Sequence, residues 1–185
     1  MFFLMKESLL YQVRMSAIRK TKLICVTYKN EYSADKDSHR DLMIGVENGV
    51  VGCGSIGLNS CKEGDYVVIN ATKDKVKHVV IGRLTERLDS CDKWKQEGGL
   101  AWPYNFKYKQ VTEIFQVDDE LNEELKQFCE TNKLKKNNLF NSRFCSNKLQ
   151  LVVDMLIEKY SIRKKEIDEI GFAKTELNKI NKTLF

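Results

Sequence analysis

Proline is nearly absent from this 185-residue chain, with Pro103 its one example, and glycine is held to ten. That excludes collagen-like repeats, Pro-rich linkers and low-complexity disorder. Histidine is as scarce: His39 and His78 are the only two. The six cysteines, at 25, 53, 61, 91, 129 and 145, include no Cys-x-x-Cys pair. Zinc sites need closely paired ligands, so no metal and no other cofactor is expected. Cysteines without a framework spacing predict six reduced thiols and an intracellular setting, cytoplasmic or, in a eukaryote, nuclear. No run of 18 apolar residues occurs, and the opening "MFFLM" meets Lys6 and Glu7 at once. A signal-peptide core or a membrane span is therefore not expected, and the protein should be soluble rather than secreted.

Catalytic grammar is missing as well. There is no Gly-x-Gly-x-x-Gly, no phosphate-loop Gly-x-x-x-x-Gly-Lys-Ser/Thr, no His-Glu-x-x-His and no Gly-x-Ser-x-Gly. "GCGSIG" (52–57) has the glycines of a phosphate loop without its lysine, and reads as a turn. Asp89 and Asp92 flank Cys91 and could serve as a cation ligand pair or as an acid and base on a nucleotide, but isolated surface acids are commoner. A non-enzyme is expected.

What the chain does have is an ordinary apolar share, 42%, a net charge of +5 and two tryptophans only eight residues apart. The charge permits binding to phosphate backbones without requiring it. "KLICVTY" (22–28) is a β-branched run that predicts a strand buried on both faces. A polar stretch, "KNEYSADKDSHRD", then breaks the pattern. "LMIGVENGVVGCGSIG" reads as short strands and tight turns. "KEGDYVVINATKDKVKHVVIGRL" (62–84) predicts a turn at Gly64-Asp65 and a hairpin around "TKDK". "FKYKQVTEIFQV" (106–117) gives a last strand with Phe106, Tyr108 and Ile114 on one side.

From Asp118 the periodicity turns helical. Leu121, Leu125 and Phe128 form one stripe; Leu149, Val152, Val153, Leu156 and Tyr160 form a second, after a capping Ser146. Residues 6–20 fit a helical face at Leu10, Val13 and Ala17 or a strand alternation at Tyr11, Val13, Met15 and Ala17, with helix the preferred reading; Ser161 to Gly171 reads as a short helix, and "TELNKINKTLF" is compatible with one more. The fold class expected is α+β, with residues 1–117 as a strand-rich domain and 118–185 as a helical extension.

Both tryptophans fall in "LDSCDKWKQEGGLAWPYNFKYKQV", between the hairpin and the last strand. The order of features around them is more specific than any one motif. "GVVGCG" precedes the strand pair "GDYVVINATKDKVKHVVIGRLTE"; Trp94, Gly98-Gly99 and "NFKYKQV" follow, with Tyr28-Lys29-Asn30 after the first strand. Over about residues 21–117 this resembles the YTH domain and its prokaryotic relatives, the EVE domains, of the PUA-like superfamily. The resemblance implies a curved, partly closed, barrel-like mixed sheet and a pocket that stacks a modified, for example methylated, base flipped out of DNA or RNA. It implies pocket residues Tyr28, Lys29, Asn30, Trp94, Trp102 and Tyr104. The family's first cage tryptophan falls at Val51, so Trp102 or Tyr104 would have to supply that wall. Arg83 and Arg87, with Lys73, Lys75 and Lys77 of the hairpin, are the expected phosphate contacts. Such a reader would serve a larger system, such as a modification-dependent restriction complex with a motor or nuclease subunit. The alternative is a protein–protein module that binds through the helical stripes.

Overall fold

The computed structural model describes residues 21–32, 36–54, 56–96, 98, 101–134, 140 and 147–162. The helices expected over 6–20 and after Ser161, Cys145 and the capping Ser146 lie outside them.

Within these residues the architecture is α+β, a six-stranded mixed sheet with helices on both faces. Strand β1 (Leu23–Thr27) runs parallel to β3 (Tyr66–Lys73), and β3 forms a hairpin with β4 (Val76–Leu88). The hairpin turn is Asp74-Lys75, both at positive φ (50° and 68°), the mirror-image turn whose twist suits a two-residue connection. At 13 residues, β4 is long enough to serve two more partners on its other edge. Its beginning pairs with β6 (Phe115–Val117) and its second half with β5 (Tyr104–Gln110), which in turn holds β2 (Val50–Cys53). The order is β1-β3-β4-β5-β2, with β1 and β2 as the two unpaired edges of an open sheet. The single strand expected over 106–117 is two strands, because the chain leaves β4 after Gln110 and rejoins it at Phe115.

The polar stretch and the first glycine-containing piece differ most from expectation. Ser38–Asn48 is an 11-residue helix, α1. Asp37 caps it by accepting the N–H groups of His39 and Arg40, and Gly49 ends it in the left-handed conformation at φ 62°. Those two caps are worth about 1 kcal/mol or more together, and they turn a weakly patterned segment into a helix. One helical turn, α2 (Ile56–Asn59), follows β2, and a second, α3 (Lys93–Gln96), interrupts the tryptophan loop. The first two helices expected after Asp118 are present as α4 (Asp119–Thr131), capped by the Asp118 side chain on the Leu121 N–H, and α5 (Asn147–Tyr160).

Two cores sandwich the sheet. Alternate residues of β1 divide between them: Ile24 and Val26 join Leu42, Val51, Leu58, Ile69, Trp94 and Phe106 on one face. Leu23 and Cys25 join Val79, Ile81, Leu121, Leu125, Val152 and Leu156 on the other. The β1 run is thus buried on both faces, as its β-branched, unalternating sequence predicts. The helical stripes are spent on the second face of the sheet rather than held for a partner: Leu121, Leu125, Cys129, Val152, Val153 and Leu156 are all buried there. Phe128 and Tyr160 are half-buried at the margin of this core. The five described cysteines are in no disulfide. Among the described residues, no helix is long and apolar enough to cross a membrane.

Candidate functional site

The structure gathers part of the expected aromatic set at one end of the sheet, where β2 and β5 pair. Tyr28 follows β1, and its ring lies between the two tryptophans, 6.3 Å from Trp94 and 5.8 Å from Trp102, tilted to both. The three aromatic groups therefore form one cluster although they come from three segments of chain.

Trp94 does not form the partly exposed wall that the resemblance implies. The helical turn α3 plants it inward, fully buried, and its indole N–H donates to the carbonyl of Asp41 on α1 at 3.1 Å. Its neighbours are core residues, and its function in this conformation is to seal α1 and α3 onto the sheet. Val51, at the position of the missing cage tryptophan, also points into the core and is fully buried. Tyr28 is 3% exposed; burial pushes its hydroxyl well above the usual phenol range, so it stays protonated, and it accepts the Gly52 N–H at 3.3 Å.

Trp102 behaves differently. It is half-buried, and its ring packs against Gly52, where an added Cβ would stand 2.6 Å from indole Cδ1. The other end of the ring reaches exposed Gly54, so one edge of the indole is close to the surface. Asn105, paired with Gly52 across β2 and β5, lies against the same spot: its Oδ1 would be 2.8 Å from that Cβ. The Asn105 amide is oriented by a 2.6 Å bond from its Nδ2 to the Trp102 carbonyl, which leaves Oδ1 as an acceptor. Two polar atoms in this region are buried from solvent and have no hydrogen-bond partner: the Trp102 indole N–H, a donor, and Asn105 Oδ1, an acceptor. An unsatisfied buried group costs about 1–3 kcal/mol, and a ligand edge offering the complementary pair would recover that free energy once the half-buried Trp102 ring swings aside to admit it. Asn70 Oδ1, on the interior strand β3, and the Tyr108 hydroxyl, on β5 three residues beyond Asn105, also lack partners.

The remaining expected residues separate into three places. Lys29 and Asn30 are exposed beside Tyr28; Lys29 pairs with Glu31, and Asn30 Oδ1 accepts the Ser38 N–H. Tyr104 is half-buried against the first core, at the Cys53 register of β5. The cations expected to rim one pocket do not share a face. Arg83 lies over the Tyr66 ring, 5.3 Å from its centroid, on the side of the second core. A register shift between Leu84 and Glu86 intervenes, and Arg87 bonds Asn59 of α2 beside the first core. Only Arg87 is therefore near the Trp102 end, one residue from Leu88, the partner of Asn105. Lys73 and Lys75 are exposed at the far hairpin. Lys77 is half-buried over the Phe140 ring, at 5.6 Å, and burial pulls its ammonium down from the usual lysine range. It covers apolar surface and is poorly placed as a phosphate arm.

Gly52 and Asn105 were not singled out by the sequence. Asn105 alternates with Lys107 and Lys109 on β5 and reads as solvent-facing; the Trp102 loop folds back over it and leaves it 1% exposed. Asp89 and Asp92 are exposed, and among the described residues no group of three or more His, Cys, Asp or Glu side chains could hold a metal. The chain matches no protein-family model and no curated protein.

Proposed function

We propose that the protein binds nucleic acid as a non-enzymatic reader of PUA-like, EVE/YTH type, taking a modified base turned out of the strand at the Trp102 end of the sheet. The observation that carries this reading is the unpartnered pair of Trp102 Nε1 and Asn105 Oδ1 beside an aromatic cluster. A nucleobase edge offers an acceptor and a donor side by side, and its face stacks on an indole for about 1–3 kcal/mol. Half-buried Trp102, backed by the buried Tyr28 ring, supplies the aromatic surface that Val51 does not. A mixed sheet with a parallel β1–β3 pair and a helix on each face supports the assignment to a curved, PUA-like domain. The reader serves a larger assembly whose motor or nuclease lies on another chain or segment.

The test separates stacking from hydrogen bonding. Trp102→Phe keeps an aromatic ring and removes the N–H; Asn105→Leu removes the acceptor. Each should lower the preference for modified over unmodified oligonucleotides by about fivefold or more, the worth of one hydrogen bond of about 1 kcal/mol. Trp102→Ala should remove binding by a further about 1–3 kcal/mol. Retention of the full preference in both conservative variants rules out the Trp102–Asn105 edge as the reading site.

A further inference from the structure

On the opposite face of the sheet lies a second feature that the Trp102 end does not use. Tyr66, Arg83 and Lys109 stand in one register row across β3, β4 and β5. Side chains directly opposed on neighbouring strands share a face, so the row places two cations side by side. Like charges so placed repel, and among the described residues neither Arg83 nor Lys109 makes an ion pair. The nearby Asp65 carboxylate accepts the backbone N–H groups of Lys22 and Lys62.

Arg83 is held ready for a ligand. Its Nε donates to the Gly64 carbonyl at 3.2 Å and its guanidinium carbon lies over the Tyr66 ring, so two contacts position the group. No described residue accepts from its terminal nitrogens, so they are available as a two-pronged donor. A planar fork held in place on an aromatic ring suits a phosphate better than a mobile lysine does.

The row lines a cavity of about 570 Å³ together with Gln110, Val111, Ile157 of α5, and Ser161 and Ile162 just after that helix. That lining is tied down: Thr112 bridges to Ser161, the Glu113 N–H donates to the Tyr160 carbonyl at 3.0 Å, and the Ile162 N–H donates to the Val111 carbonyl at 3.2 Å. The volume is within the range of small-molecule sites, roughly 300–1,000 Å³, and is more than a bare oxyanion fills. Two adjacent cations match a dianion, which a phosphomonoester becomes near neutral pH and a carboxylate does not. The three aliphatic residues of the lining, Val111, Ile157 and Ile162, call for a flat or apolar moiety attached to that phosphate, with Gln110 and Ser161 as polar contacts beside it.

We propose that this groove binds a nucleoside monophosphate, with the phosphate on Arg83 and Lys109 and the base against Val111, Ile157 and Ile162. The site is separate from the Trp102 end and does not rest on the reading of that end. Calorimetric titration of the whole protein with adenosine monophosphate, inorganic phosphate and adenosine tests it. The monophosphate should bind at least tenfold more tightly than either fragment, and Lys109→Ala and Arg83→Ala should each weaken it by tenfold or more. Arg83→Lys keeps the charge but loses the fork, and should recover only a minor part. Because loss of the Tyr66 contact could disturb the fold, Lys109→Ala, at an exposed position, carries the decision, with its melting temperature unchanged. Equal binding of the monophosphate and inorganic phosphate would remove the base subsite. Wild-type affinity in Lys109→Ala, or no monophosphate binding at all, overturns the proposal. Loss of oligonucleotide binding in Lys109→Ala would also overturn it as a separate site.

Discussion

Truncating Trp94 tests whether the tryptophan loop is built first for stability. The side chain is fully buried between α1 and the sheet, its indole N–H is bonded to the Asp41 carbonyl, and the Tyr28 ring is 6.3 Å away. Trp94→Ala removes the largest side chain of the first core, for which the cavity and transfer terms together amount to about 3–5 kcal/mol. Trp94→Phe keeps most of the ring but forfeits the hydrogen bond, at about 1 kcal/mol, and leaves a smaller void, for a total near 2 kcal/mol. With a urea dependence of about 2 kcal/mol per molar, the unfolding midpoint should fall by about 2 M in the alanine variant and about 1 M in the phenylalanine variant. Far-ultraviolet circular dichroism is the appropriate probe, because the substitution itself removes a fluorophore. An alanine variant within about 1 kcal/mol of wild type would refute the reasoning and return Trp94 to the surface of a pocket.

Gly82→Ala should be destabilising by about 1–3 kcal/mol in the same urea assay, since the new Cβ would stand 2.2 Å from Cδ2 of the Tyr108 ring on a packed strand pair; a neutral result would mean that the ring is free to move. Gly49→Ala should cost about 1 kcal/mol, because the α1 cap requires φ 62°, and a larger loss would point to a role beyond the cap. Stability should also depend on His78. Burial, the His39 ring and Lys73 hold His78 below its ordinary value of 6.5, with Asp74 opposing them. The unfolded chain therefore takes up the proton first, and the contribution present above about pH 6.5 is lost as pH falls toward the folded-state value. His78→Gln should flatten the fall in urea midpoint on the acid side; an unchanged slope would assign it to other groups.

The helices after Asp118 and the β3–β4 hairpin were legible because each carries its own periodicity and its own turn or cap chemistry. The helix α1 was not. Its apolar residues are few, with Leu42 and Ile44 buried, and its identity rests on the side chain of Asp37 and the left-handed Gly49, features outside the helix itself. The position of Trp94 was illegible for a related reason: four residues of helix, α3, decide which way it points, and nothing in "SCDKWKQEG" sets that direction. Asn105 shows the limit of alternation. It occupies a polar position of β5, yet the sheet ends there, and the Trp102 loop closes over that face instead of solvent. Arg83 and Arg87 are four residues apart and would share a face on a regular strand. The shift between Leu84 and Glu86 sends them to opposite sides, and an irregularity of that kind has no signature in the side chains around it.

The most direct test of the central claim is a fluorescence-anisotropy titration of the whole protein with paired oligonucleotides, identical except for one methylated base, at a single stated salt concentration. The reader account predicts a preference of at least tenfold for the modified member of one pair, falling toward unity in Trp102→Phe while the urea midpoint of that variant stays near wild type. Equal affinity for both members of every pair, or no binding to any, would contradict it.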